Sequence, residues 1–116
     1  MPETFGRERR LTQRADFLRA YQQGGAHRAP GFVCHVLDTG DRTRPSRLGI
    51  TAARRVGPAH RRNRYKRWTR EVFRRRTLRP GFDIVVTFRS EAAALSFARF
   101  EAALTGVLER ARVMAS

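Results

Sequence analysis

The residues best equipped for chemistry in this chain crowd into one stretch, RRVGPAHRRNRYKRWTREVFRRR, residues 54–76. It holds eleven arginines and lysines and a single acid, Glu71. Arg62, Lys66 and Arg70 succeed one another at steps of four, with Asn63, Arg67 and Arg74 beside them. At about 100° per residue these six make one continuous helical face. Like charges four apart each destabilise a helix by a few tenths of a kcal/mol, and exposed helices ordinarily mix acids among the bases. A face so poor in acids suits an anion, and arginine's planar fork can hold a phosphate bidentately or stack on a base. The bland alternative is a solvated or disordered basic run. Against it, Tyr65, Trp68, Thr69 and Val72 share an arc of about 100°, the width of a core-facing stripe, and a disordered tail would tie its aromatics to no particular phase.

Other candidates are sparser. Phe17 and Tyr21 stand four apart and share a helical face with Leu18 and Ala15 beside them. They read either as core or as platforms for unpaired bases, worth about 1 to 3 kcal/mol per base. His27, His35 and His60 fall in different elements without metal-ligand spacing, and no Gly-rich phosphate loop is present. Asp38 and Asp41 read as turn residues, with a metal-dependent nuclease centre as the lesser alternative. The lone Cys34 has no internal disulfide partner and reads as a small buried thiol. No catalytic set, metal site or cofactor site is therefore expected in the chain, and any reaction it serves has its chemistry elsewhere.

Elements must position these residues. The 116 residues, 41% of them hydrophobic, suffice for a single small domain over 1–116. The formal net charge of +15 calls for an anionic partner, nucleic acid or an anionic surface. No stretch approaches the roughly twenty apolar residues of a membrane span, and no apolar run near the start marks secretion, so a cytoplasmic protein without membrane contact is expected. Residues 1–10 read as a loose arm. Thr12 and Gly24-Gly25 frame a helix of about ten residues. GFVCHVLD (31–38), RLGITAA (47–53) and FDIVVTF (82–88) read as strands, the third apolar enough to be buried on both faces. The turn-rich TGDRTRPS between the first two suits an antiparallel pairing. Pro58 opens the basic helix at its first helical position, and Ser96 opens a last helix in which Phe97, Phe100, Leu104, Val107, Leu108 and Ala111 recur at three- and four-residue steps. The expected fold is α+β, an α-β sandwich in the order α-β-β-α-β-α with a small, mainly antiparallel sheet and room for an extra short strand.

The run RLGITAARRVGPAHRRNRYKRWTREVF resembles the protein subunit of bacterial ribonuclease P, through Arg62-Asn63-Arg64-Tyr65-Lys66-Arg67 in a basic helix. The similarity extends to Asp16-Phe17 and Tyr21, to Gly81-Phe82-Asp83-Ile84-Val85-Val86 and to Leu95-Ser96-Phe97, in the same order over about residues 10–112. The resemblance implies a left-handed crossover at the basic helix, against the usual right-handed rule. It also implies a non-catalytic subunit that binds ribonuclease P RNA and precursor tRNA and assists removal of the 5′ leader. The RNA would carry the hydrolysis with bound Mg2+, and no small-molecule substrate is implied. By the same resemblance Arg62, Asn63, Arg64, Lys66, Arg67 and Arg70, with Arg54 and Arg55 at the entry to the helix, face RNA. Phe17, Tyr21, His35 and Thr51 belong to a cleft for the single-stranded leader, His35 standing where the family often has an aromatic. Lys66, the sole lysine, falls on the signature lysine. A structural RNA-binding protein of ribosomal type, with no part in cleavage, is the alternative reading.

Overall fold

The computed structural model describes residues 7–115. Three helices and four strands follow in the order α1 (Arg14–Gln23), β1 (Gly25–Ala29), β2 (Phe32–Asp38), β3 (Arg47–Thr51), α2 (Ala59–Arg74), β4 (Phe82–Phe88) and α3 (Phe97–Arg110). The strands form one mixed sheet in the order β1-β2-β4-β3. β2 pairs antiparallel with both β1 and β4, while β3 runs parallel to β4 and reaches it through α2 as a crossover. The α+β class and the helix order expected from sequence are borne out.

β4 takes a central place because it is apolar on both faces and must be covered on both. Phe82, Ile84, Val86 and Phe88 join Phe32, Cys34, Val36 and Leu48 in the main core, under α2 and α3. Val85, on the alternate face, packs with Leu11 and Ala20 beneath α1. Helix α2 is anchored as its apolar stripe predicts: Tyr65, Thr69 and Val72 are buried, and Phe73 joins them. The Tyr65 ring stacks on Phe88 at 4.9 Å, and the half-buried Trp68 lies 5.8 Å from Phe100. The Thr69 hydroxyl is satisfied one turn back, donating to the Tyr65 carbonyl at 2.8 Å. In α3 the Ser96 side chain caps the Arg99 amide, and Phe100, Leu104, Val107 and Leu108 face the core.

Several expectations are corrected. β2 and β3 are not neighbours; β4 lies between them. The eight-residue TGDRTRPS segment has the length to pass across the start of β4, and its hydroxyls hold it there. Thr39 Oγ1 donates to the Gly81 carbonyl at 2.6 Å, while Ser46 Oγ donates to the Arg79 carbonyl and accepts the Phe82 amide. β1 supplies the extra strand. GAHRA lacks the β-branched residues that would announce a strand, and its pairing with β2 across the Pro30-Gly31 turn imposes the extended form; Gly31 has φ 85°. Gln13 rather than Thr12 stands at the start of α1, without a side-chain cap, and Pro58 precedes α2 as its cap residue. Of the expected loose arm, Arg7–Arg9 form a short 3-10 turn and Arg10 bridges to Leu48. Residues 1–6 lie outside the described residues.

Candidate nucleic-acid interface

The core-facing stripe of α2 leaves the remainder of the helix to the bases, but the structure divides them. Asn63, Arg64, Arg67 and Arg70 are exposed, whereas Arg62 and Lys66 are half-buried. Arg64 lies on the opposite flank of the exposed surface from Lys66 and Arg70, about 160° from Lys66 around the helix. Arg62 turns back on the loop before the helix, its Nε donating to the Gly57 carbonyl at 3.1 Å. Arg74, expected on the same basic face, pairs with Glu71, which also takes Arg75 at 2.9 Å. Arg54 and Arg55 are exposed on a 3-10 turn, Arg54–Val56, whose Arg55 carbonyl accepts the Ser90 hydroxyl.

Lys66 and Arg70 line a groove along β3 with Arg10, Leu11, Phe17, Leu48, Gly49 and Ile50, about 150 Å³ in volume. A second depression of about 330 Å³ is lined by Thr12, Arg14, Phe17, Leu18, Tyr21 and Thr51. Phe17 borders both, so the basic helix and the aromatic face of α1 meet at its ring. Gly49 makes this possible. A Cβ there would lie 2.5 Å from Phe17 Cε1 and 2.7 Å from Cζ, so the bare strand is what admits the ring. Sequence reasoning passed over Gly49, although a glycine inside a strand signals close approach. It also passed over Arg10 and Arg14, whose places depend on how the N-terminal segment docks.

Tyr21, His35 and Thr51 do come together. The Tyr21 ring meets His35 edge-on at 5.1 Å, its hydroxyl lies 3.5 Å from Thr51 Oγ1, and Thr51 Oγ1 donates to Thr87 Oγ1 at 3.0 Å. Phe17 and Tyr21 are each half-buried, one side packed toward Val85 and Ala20, the other open. The core and platform readings are therefore not exclusive. Leu18 beside them is 40% exposed, the one large hydrophobic among the described residues that is. His35 Nδ1 is buried and finds no hydrogen-bond partner among the described residues. Loss of solvation, and then the nearby Arg28 and His27, lower the His35 pKa and favour the neutral ring.

An ion network sets α1 on this face of the sheet. Arg47 donates to both oxygens of Asp83, from Nε at 3.0 Å and Nη2 at 2.8 Å, and from Nη1 to Asp16 at 3.4 Å. Asp83 is only 1% exposed, so the bidentate pair is what makes its burial tolerable.

Asp38 accepts both Arg42 nitrogens and the Gly40 amide, which hold its carboxyl at about 2, and Asp41 caps its own turn through Thr43. Both are turn residues, and no group of three metal-ligating side chains occurs among the described residues. Cys34 is buried, which pushes its thiol up to about 12. No helix among the described residues is long and apolar enough to cross a membrane.

Comparison with known proteins agrees with this geometry. The family model described as Ribonuclease P matches residues 5–112. The ribonuclease P protein component of Thermotoga maritima is 44% identical over 93 residues, 78% of either chain, and that of Shouchella clausii 35% identical over 111 residues, 94% of this chain and 90% of the other. Among solved structures, the Thermotoga maritima RNase P protein in complex with 1-(4-fluorophenyl)-2-thiourea superposes with a TM-score of 0.77 at 37% identity, covering 87% of this chain and 98% of that one. The Staphylococcus aureus RNase P protein gives 0.79 at 29% identity, over 92% and 98%. A basic helix laid beside an aromatic cleft on an α-β sandwich, with this extent of identity, places the chain in the family of bacterial ribonuclease P protein components.

Proposed function

We propose that the chain binds ribonuclease P RNA through the basic surface of α2 and holds the 5′ leader of precursor tRNA along the groove that Phe17 joins. Arg54, Arg55, Asn63, Arg64, Lys66, Arg67 and Arg70 contact RNA, Arg62 shaping the helix entry as well. The leader's bases lie over Phe17, Tyr21 and His35, with Thr51 offering a hydroxyl. The observation that carries the reading is the shared Phe17 wall: phosphate-binding cations and a stacking ring line one continuous path, which is what a single strand requires. The protein is the non-catalytic subunit and the RNA carries the hydrolysis with bound Mg2+. The protein supplies positive charge and positioning and holds no cofactor of its own. Its place of action is the cytoplasm.

Reconstitution with a bacterial ribonuclease P RNA tests this. Cleavage of precursor tRNA at low magnesium is expected to exceed that of the RNA alone, because cations supplied by the protein replace metal ions at the phosphates. No gain over RNA alone would sink the proposal. Tight RNA binding indifferent to the leader would instead indicate a structural RNA-binding protein.

A further inference from the structure

A second basic site lies at the other end of the sheet. α2 begins where β3 and β4 finish, whereas Arg79 and the C-terminal segment lie where β4 begins. There the end of the chain is zipped onto the segment after α2. Arg79 N donates to the Val113 carbonyl at 2.8 Å, Ala115 N to the Thr77 carbonyl at 2.9 Å, and Leu78 bridges to Met114. This brings the Arg79 guanidinium against the backbone of Arg112, Arg79 Nη1 donating to the Arg112 carbonyl at 2.8 Å. One of its five N–H groups is so used, and the others remain for a ligand.

Arg112 is the unusual member. Helix α3 ends in a Schellman arrangement, with Val113 N on the Leu108 carbonyl and Arg112 N on that of Glu109. The residue between must be left-handed, and Arg112 has φ 59°, the one described non-glycine residue with positive φ. Glycine is the residue that stops helices this way without strain. Here a long cation stands instead, exposed and in none of the ion pairs found among the described residues.

Arg112 and Arg79 together line a depression of about 320 Å³ with His27, Asp38, Phe82 and Ala111. Its acid, Asp38, is paired with both Arg42 nitrogens, which offsets its charge and leaves the depression net cationic through Arg79 and Arg112. Phe82 forms the floor, with Arg42 4.9 Å and Arg79 5.7 Å from its ring centre. The same two arginines also line a neighbouring depression, which they share with Glu109, Met114 and Ala115. We infer that Arg79 and Arg112 form a second phosphate-binding site, which engages the backbone of the partner RNA at a point separate from α2. The inference rests on the proposed RNA-binding function.

The test is Arg112→Gly, which removes the cation while supplying the residue the backbone prefers. Binding to ribonuclease P RNA is measured as a function of salt, with thermal unfolding alongside. The expected result is a roughly five- to tenfold loss of affinity at low salt and a salt slope shallower by about one, from one lost phosphate contact. The unfolding midpoint should be unchanged or higher, since glycine relieves the left-handed residue. Arg112→Lys, which keeps the charge, should retain the slope. Wild-type affinity and slope in the Arg112→Gly protein would overturn the second site alone. Failure of the unaltered protein to bind this RNA would overturn the functional reading on which it rests.

Discussion

Phe17 can be part of the hydrophobic packing and still present a ring to a ligand because Gly49 has no side chain. If the open side of the ring stacks a base, Phe17→Ala should weaken binding of precursor tRNA by about 1 to 3 kcal/mol and leave mature tRNA little affected. An equal loss for both RNAs would mean that the ring only packs. Gly49→Ala should act in the same direction without touching the aromatic, since the new methyl group would displace the ring. His35 makes a separate prediction. Its folded pKa lies below the ordinary 6.5, so the folded state resists protonation. Above that value it has no effect on stability; stability then declines as pH drops through the window below 6.5 and levels off beneath the folded pKa. Denaturant titrations across this window should show the decline in the unaltered protein, and His35→Gln should flatten it. Cys34, with its thiol at about 12, should react with thiol reagents at neutral pH only as fast as the protein opens.

At the scale of elements, the sorting of α2 into a buried stripe and a basic remainder was legible from residue spacing, since Tyr65, Thr69 and Val72 are buried where their phase puts them. The finer division of the bases was not. Arg62 bonds the Gly57 carbonyl, a choice that depends on loop conformation, whereas the Arg74–Glu71 pair is a contact three residues apart that helical phase allows but does not require. Lys66→Ala and Arg70→Ala should therefore each flatten the salt dependence of RNA binding by about one counterion. Arg62→Ala should in addition lower stability by about 1 kcal/mol through the lost bond to Gly57. The seat of α1 depends on Arg47. Arg47→Ala would leave the buried Asp83 with only the Arg44 guanidinium, 3.9 Å away, and chemical denaturation should register a loss of about 3 kcal/mol. That bridge was invisible in sequence, because Arg47 and Asp83 are brought opposite each other only by the parallel register of β3 with β4.

For the whole molecule, the sequence by itself determined what local periodicity can encode. A strand apolar on both faces had to lie centrally, helices with one apolar stripe had to cover it, and an acid-poor basic helix had to turn its charge outward. The ordered resemblance to ribonuclease P proteins added the family, which comparison bears out over residues 5–112. Only the tertiary structure decided the strand order β1-β2-β4-β3, the presence of β1 in a segment without strand propensity, and the docking of Arg10 and Leu11 on β3. It alone brought Phe17 from α1 to Lys66 and Arg70 from α2, and Arg79 to Arg112 across 33 positions of chain. Periodicity reports which side of an element is buried. Which elements meet is settled by pairing and packing between residues far apart, and the proposed interface lies at those meetings.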